Sequence, residues 1–125
     1  MSASKWIAIG ALWMGAAVVL GAFGAHALKD RLVESGQLEN WHTAVRYQAW
    51  HALALVAVGS LYRGRAFPGA VGWLFLLGSV MFSGSVYGLA LDGPGAVLGP
   101  ITPLGGALMI AGWATLAWKS WRDEG

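Results

Sequence analysis

Cysteine is absent from this sequence, and charged residues are scarce, making up 11% of its 125 residues. Without cysteine the chain forms no disulfide framework and offers neither a thiolate metal site nor a cysteine nucleophile. Hydrophobic residues make up 57% of the sequence, and the mean hydropathy is +0.58. These values lie outside the range of an ordinary soluble domain. The composition therefore predicts an integral membrane protein.

The basic residues do not suggest a nucleic-acid partner. Eight Lys and Arg residues against six Asp and Glu residues give a net charge of +2, but they are spread over the termini and turns without a basic stripe. Motifs for a metal, a cofactor or catalysis are also missing. His26, His42 and His51 include no pair four residues apart and no HExxH motif, which metal sites on helices commonly use. We therefore expect a non-enzymatic protein without a metal or cofactor.

Four apolar segments follow one another, each long enough to cross the hydrocarbon of a bilayer as a helix. They are residues 6–28, 41–62, 67–91 and 102–118. We predict an all-α integral membrane four-helix bundle in which residues 1–125 form a single transmembrane domain. The first segment also resembles a signal peptide with Ala25-His-Ala27 as its cleavage site, but its apolar run is longer than a typical signal core.

The distribution of basic residues predicts the orientation of these spans. With four crossings, one side carries Lys5, Arg63, Arg65, Lys119 and Arg122, whereas the other carries Lys29, Arg31 and, at its margin, Arg46. Basic residues accumulate in short loops on the cytoplasmic side. Both termini are therefore predicted to be cytoplasmic, in a multi-pass protein of the bacterial inner (plasma) membrane.

Small residues and prolines predict local features of the helices. Ala17, Gly21 and Ala25 recur at four-residue spacing, and Gly84 and Gly88 repeat it in the third span, a pattern that allows close helix packing. In the fourth span, Thr102 is predicted to be the N-cap and Pro103 the first helical residue. The free N–H groups from Thr102 to Gly106 would then favour an anionic group.

Polar side chains are concentrated in the outer half of the predicted bundle. Counting the helix rise from Arg63 places Arg46 roughly 25 Å and His51 roughly 18 Å toward the outside. The other members of this set are Tyr47, Gln48, Ser83, Ser85, Tyr87 and Thr102, with His26 at the interface. Ionisable residues at membrane depth mark functional sites. The pattern predicts one outer-leaflet pocket that holds a polar or anionic group, with Arg46 at its rim.

Two of these residues have structural interpretations that the sequence leaves open. Arg46 either binds a ligand or serves as an anchor that reaches the interface or pairs with Glu39. His51 either lines the pocket or is a neutral imidazole bonded to Ser83, Ser85 or Gln48 across a helix interface, which is the commoner role of a buried histidine.

Several ordered motifs resemble a known family. They are Gly21-Ala-Phe-Gly-Ala-His-Ala-Leu28, Thr43-Ala-Val, Tyr47-Gln48, His51-Ala-Leu-Ala-Leu55, Phe82-Ser-Gly-Ser85 with Tyr87, and Gly99-Pro-Ile-Thr-Pro-Leu-Gly-Gly106. The chain resembles, over nearly its whole length, the small four-span family of unknown function that contains the bacterial inner-membrane protein YgdD and looks related to eukaryotic transmembrane protein 256. The resemblance implies no established activity. It marks His26, Tyr47, Gln48, His51, Ser83, Ser85, Tyr87, Thr102 and Pro103 as family-motif positions.

Three functions compete at this point. The first is a non-enzymatic membrane protein that binds a lipid headgroup or small ligand in the outer-leaflet pocket, or that stabilises the membrane or partner proteins. The second is a transporter or channel subunit, which requires an oligomer because four small spans leave little room for a pathway. The third, an enzyme or a haem or quinone redox subunit, rests only on His51 and Tyr47. Membrane lipids are the expected partners, and a homo-oligomer or a membrane-protein partner stays open.

Overall fold

The computed structural model describes residues 1–123, which form five α-helices and no strand. The helices are α1 (Ala3–Ala25), α2 (Lys29–Glu34), α3 (Leu38–Leu61), α4 (Gly69–Ala90) and α5 (Gly95–Arg122). By length and composition α1, α4 and α5 are able to cross a membrane. Helix α3 has 24 residues but a more polar sequence. The all-α prediction is confirmed, and α1, α3 and α4 overlap the first three predicted spans.

The fourth predicted span is part of a longer helix, because α5 begins at Gly95 and contains both Pro100 and Pro103. The prediction that Thr102 caps this helix is therefore wrong. A proline removes one N–H from the helical ladder without necessarily ending the helix. Thr102 lies between the two prolines, and its Oγ1 donates to the carbonyl oxygen of Leu98 at 3.4 Å. No open helix N-terminus lies at residues 102–106.

The long helices pack antiparallel to their neighbours in the chain. The extensive contacts are those of α1 with α3, of α3 with α4 and of α4 with α5. Trp6 stacks on Phe67 at 5.3 Å, so the N-terminus and the 62–68 connection lie at one end, which we call the terminal end. Arg31 Nη2 pairs with Asp92 Oδ2 at 3.2 Å, which joins α2 to the 91–94 turn at the other end, the α2 end. The four long helices therefore neighbour one another in the order α1, α3, α4, α5, with α3 and α4 in the middle.

Close helix packing depends on small residues, but at a spacing different from the predicted one. Ala3, Gly10, Ala17 and Gly24 recur every seven residues along α1 and are all buried. A Cβ at Gly10 would lie 2.8 Å from the carbonyl oxygen of Ala52, and one at Gly24 would lie 2.5 Å from the Trp41 ring. At these positions only glycine leaves room for the neighbouring residues of α3.

The packing faces predicted from four-residue spacing are only partly correct. Ala17 is buried, but Ala25 is exposed, and a Cβ at Gly21 would make ordinary contact with Val45 at 3.5 Å. In α4, Gly88 packs against Leu98, whereas Gly84 has nothing within 4 Å. The contact of α4 with α5 instead uses Gly105, whose backbone lies against Phe82. The predicted spacing fails because these antiparallel helices keep contact every seventh residue.

The buried face of α3 carries the polar residues into the core. Its buried positions include Trp41, Ala44, Gln48, His51, Leu55 and Val58, which follow the alternating three- and four-residue spacing of a coiled-coil seam. Two apolar clusters result, one around Trp41 and Tyr87 and one around Leu55 and Phe75. A polar layer that contains Gln48 and Ser83, both 0% exposed, lies between these clusters.

Candidate functional site

Gln48 lies at the centre of a hydrogen-bonded network that joins three helices. Its Nε2 donates to the carbonyl oxygen of Trp13 on α1 at 3.1 Å, and its Oε1 accepts from the hydroxyl of Tyr87 on α4 at 2.6 Å. The Tyr87 ring packs on Trp41 with the ring centroids 4.6 Å apart. Gln48 is fully buried, and these bonds use both ends of its amide. This geometry gives Gln48 and Tyr87 a structural role that holds α3 in register.

The two serines and the threonine of the predicted pocket make similar bonds between helices. Ser83 Oγ donates to the carbonyl oxygen of Ala44 at 2.7 Å, which joins α4 to α3. Ser85 Oγ and Thr102 Oγ1 are 2.6 Å apart, which joins α4 to α5. Hydroxyl groups in apolar surroundings need such partners because an unbonded polar group is costly there. Ser83 and Ser85 are buried, and Thr102 is half-buried.

His51 bonds to Trp113 on α5. The sequence predicted Ser83, Ser85 or Gln48 as its partner instead. Trp113 Nε1 donates to His51 Nε2 at 3.0 Å. An indole nitrogen only donates, so Nε2 carries no proton and the neutral ring is protonated at Nδ1. That nitrogen lies 2.7 Å from the carbonyl oxygen of Tyr47. Both ring nitrogens are therefore occupied by protein groups, and His51 is 4% exposed.

A cleft separates α3 from α5, and α4 lines the part of it nearer the α2 end. Three grooves follow one another along this cleft. The polar groove, of about 520 Å³, is lined by Gln37, Asn40, Thr43, Phe82, Val86, Leu89 and Thr102. The middle groove, of about 260 Å³, is lined by Tyr47, His51, Phe82, Gly106, Met109, Ile110 and Trp113. The third groove is open to the surface and lies farthest from the α2 end, and we call it the deep groove only for this position. It has a volume of about 560 Å³ and is lined by Tyr47, Trp50, His51, Leu53, Ala54, Ala57 and Trp113.

Shared residues make the three grooves continuous. Phe82 borders both the polar and the middle groove, and Tyr47, His51 and Trp113 border both the middle and the deep groove. From Gln37 to Ala57 the cleft follows roughly 30 Å of α3, given the helix rise. The Trp113–His51 bond crosses it between the middle and deep grooves.

The chemistry of the cleft changes along its length. At the α2 end the polar groove offers two amides and two hydroxyl groups, and Asn40 Nδ2 donates to Gln37 Oε1 at 3.0 Å. Beyond Phe82 the walls are aromatic and aliphatic. His51, the main polar residue there, directs both nitrogens at protein partners. The cleft thus suits a ligand with a polar end and a long apolar part.

Arg46 and His26 lie outside this cleft. Arg46 Nη2 pairs with Glu39 Oε1 at 3.0 Å, and both side chains are largely exposed. This ion pair matches one of the two interpretations that the sequence left open for Arg46, namely a structural anchor paired with Glu39. His26 is exposed at the C-terminal end of α1.

The sequence-predicted site residues therefore do not share one cavity. Tyr47, His51 and Thr102 line the cleft, whereas Gln48, Ser83, Ser85 and Tyr87 bond within the helix interfaces. A ligand-binding role for any of them stays a prediction. Sequence reasoning missed Trp113, Asn40 and Gln37. Nothing singles out Trp113 among eight tryptophans, but Asn40 and Thr43 have the three-residue spacing of one helical face.

Comparison with known proteins supports the membrane assignment. Residues 20–106 match the family model described as "Protein of unknown function (DUF423)". A Schizosaccharomyces pombe protein named UPF0382 membrane protein C1782.12c is 43% identical over 103 residues, which cover 79% of this chain and 86% of that protein. No solved structure matches the chain significantly.

Two bacterial relatives cover still more of the chain. UPF0382 membrane protein SH2409 of Staphylococcus haemolyticus is 41% identical over 121 residues, covering 96% of this chain and 98% of that protein. UPF0382 membrane protein YwdK of Bacillus subtilis is 43% identical over 111 residues, covering 86% and 89% respectively. With its three apolar helices, the chain belongs to the DUF423 family and is a helical membrane protein of unknown function.

Proposed function

We propose that this protein is a non-enzymatic, four-span protein of the bacterial plasma membrane that holds a membrane lipid in the cleft between α3 and α5. The observation that carries the proposal is the polarity of the cleft. Amides and hydroxyl groups line its α2 end, and aromatic and aliphatic side chains line the rest. A lipid has the same division into a polar head and apolar chains.

Four crossings require α3 to span the membrane together with its three apolar neighbours. Helix α3 is 24 residues long and packs antiparallel between α1 and α4. Its buried polar residues Gln48 and His51 are bonded to other helices, which removes the cost of placing them at membrane depth. The resemblance to the four-span family that contains YgdD and to transmembrane protein 256 supports the same number of spans.

The orientation follows from the charges at the two ends. Lys5, Arg63, Arg65, Lys119 and Arg122 fall at the terminal end, whereas acidic residues balance the basic ones at the α2 end. The positive-inside rule then puts both termini in the cytoplasm. The polar groove opens to the outer leaflet in this orientation.

A binding role fits the side chains better than catalysis does. Among residues 1–123, no three His, Asp or Glu side chains form a group suited to a metal ion. A general acid or base must exchange a proton with its substrate, but the two nitrogens of His51 are engaged by Trp113 and Tyr47. These contacts favour a passive ligand site over a reaction centre.

Native mass spectrometry of the protein purified in mild detergent tests this function. Gly106→Leu fills the middle groove, since a Cβ there would have only Phe82 at 4.0 Å. Gly15→Leu is the matched control, because a Cβ at Gly15 on α1 meets nothing within 4 Å. We expect retained lipid on the wild-type protein and on Gly15→Leu, and its loss from Gly106→Leu. Wild-type protein without lipid, or equal retention by both variants, would refute the proposal.

A further inference from the structure

We propose that the lipid in this cleft is a neutral glycerolipid whose head group carries hydroxyl groups and no phosphate. This inference rests on the lipid-binding function proposed above and adds the chemical class of the ligand. The sequence predicts a pocket for a polar or anionic group, and the two features that favour an anion are Arg46 and an open helix N-terminus at Thr102. The structure pairs Arg46 with Glu39 and places Thr102 inside α5.

The first feature is a free arginine at the rim of the site. Arg46 is paired with Glu39 at 3.0 Å, and at 100° per residue the two lie within roughly 60° of Thr43 around α3. A phosphate that approaches the polar groove meets an ion pair whose net charge is zero, so the pair offers it little attraction. Arg31 is likewise paired with Asp92, at 3.2 Å.

The α2 end as a whole carries no surplus of positive charge. Its carboxylates are Asp30, Glu34, Glu39 and Asp92, and its cations are Lys29, Arg31 and Arg46. Anionic lipid sites are built from clusters of Lys and Arg. An anionic head group has no such cluster here.

The second feature is an open helix N-terminus at Thr102. Because α5 begins at Gly95, the N–H groups of residues 102–106 lie inside the helix and its first turn does not line the polar groove. The positive end of the helix dipole, which acts only over the first turn, is therefore not directed at a head group in the groove.

What the polar groove does offer is neutral hydrogen-bonding capacity. Gln37, Asn40 and Thr43 contribute two amides and a hydroxyl group, which both donate and accept. Sugar and glycerol hydroxyl groups have the same dual character. Such a head group can form hydrogen bonds with the polar side chains of the groove without placing a charge away from water.

The apolar grooves have the dimensions of one acyl chain. From Tyr47 to Ala57 the two apolar grooves run roughly 15 Å along α3, which matches about 15 Å for one leaflet of a 30 Å hydrocarbon core. The middle and deep grooves provide about 260 Å³ and 560 Å³. A chain that follows the cleft inward lies against Phe82 and then beside the Trp113–His51 bond.

Competition among lipids in nanodiscs tests the inference. The full chain is reconstituted with equal amounts of hexosyl diacylglycerol, phosphatidylglycerol and phosphatidylethanolamine that have identical acyl chains, and bound lipids are counted by native mass spectrometry. We expect the hexosyl lipid to be retained over phosphatidylglycerol by about fivefold. This fold-change corresponds to about 1 kcal/mol, the interaction free energy of one charge near a membrane surface. Thr43→Val, which removes a groove hydroxyl group, should reduce the retention of the hexosyl lipid.

A charge-matched pair of variants isolates the ion pair. Glu39→Gln releases Arg46 and should shift retention toward phosphatidylglycerol, whereas Glu34→Gln removes the same charge on α2 and should leave the preference unchanged. Wild-type preference for either phospholipid, or an equal response of the two variants, would overturn the neutral-lipid inference while leaving lipid binding intact. Absence of all three lipids would instead refute the proposed function.

Discussion

Trp113 donates its indole N–H to Nε2 of His51 at 3.0 Å, and this bond is the tie across the cleft between α3 and α5. Helix α5 packs mainly on α4, and this bond gives it a direct contact with α3. It also fixes the tautomer of His51 and explains how a histidine is accommodated at a core position of a membrane helix.

Trp113→Phe should lower the free energy of unfolding by about 1 to 3 kcal/mol, the usual cost of leaving a buried acceptor without its donor. Phenylalanine keeps a ring against Phe75 but leaves His51 Nε2 without its donor. Thermal unfolding in detergent measures the effect. Trp118→Phe is the control, because Trp118 is 62% exposed. Equal destabilisation by the two variants would show that the tie contributes nothing specific.

Gln48→Leu and Tyr87→Phe should each destabilise the protein by about 1 to 3 kcal/mol, because each leaves a buried polar group without its partner. The double variant should cost less than the sum of the two, since the 2.6 Å bond that both disrupt can be lost only once. Unfolding by a denaturing detergent gives all three values. Strict additivity would contradict the network as described.

Gly10→Leu should destabilise the protein severely, because its Cβ would meet the Ala52 carbonyl oxygen at 2.8 Å and the Leu55 Cβ at 2.9 Å. Gly84→Leu should have little effect on thermal stability, because that position is open. This replaces the expectation from sequence spacing that Gly84 is part of a packing seam. The seven-residue pattern on α1 would be incorrect if both variants had the same melting temperature.

Single cysteines test the topology cleanly, because the chain contains none of its own. Ser35→Cys, after α2, should react with an impermeant maleimide in intact cells. Ala66→Cys, between α3 and α4, should react only after the cells are permeabilised. The reverse pattern would invert the orientation, and labelling of both positions in intact cells would show that α3 does not cross the membrane.

The elements of this fold were predictable from apolar run lengths, but their packing was not. Composition predicts the helices because 1.5 Å per residue must match the bilayer. The start of α5 was missed because Pro100 and Pro103 resemble a helix boundary, yet the helix continues through both prolines. Sequence periodicity also places Gln48 and His51 on a polar face of α3. It does not reveal that both side chains are buried where α3 packs against the other helices.

The candidate site was predictable only in part, since depth along a helix does not specify the neighbouring helix. Tyr47 and Gln48 are adjacent, yet Tyr47 lines the cleft while Gln48 points to α1 and α4. The partner of His51 lies 62 residues away in the chain. Such pairings depend on which helices are neighbours, information that one sequence does not contain.

The most direct measurement of lipid in the cleft is photo-crosslinking at two equally exposed positions. Ile110, 72% exposed, lines the middle groove, and Leu12, 76% exposed, lies on α1 away from it. A photoreactive phenylalanine analogue is placed at each, the protein is purified in mild detergent so that loosely held lipid is exchanged, and the mass is measured after irradiation. We expect an adduct of one intact lipid at position 110 and none at position 12. Adducts at both positions, or none at 110, would contradict a lipid held between α3 and α5.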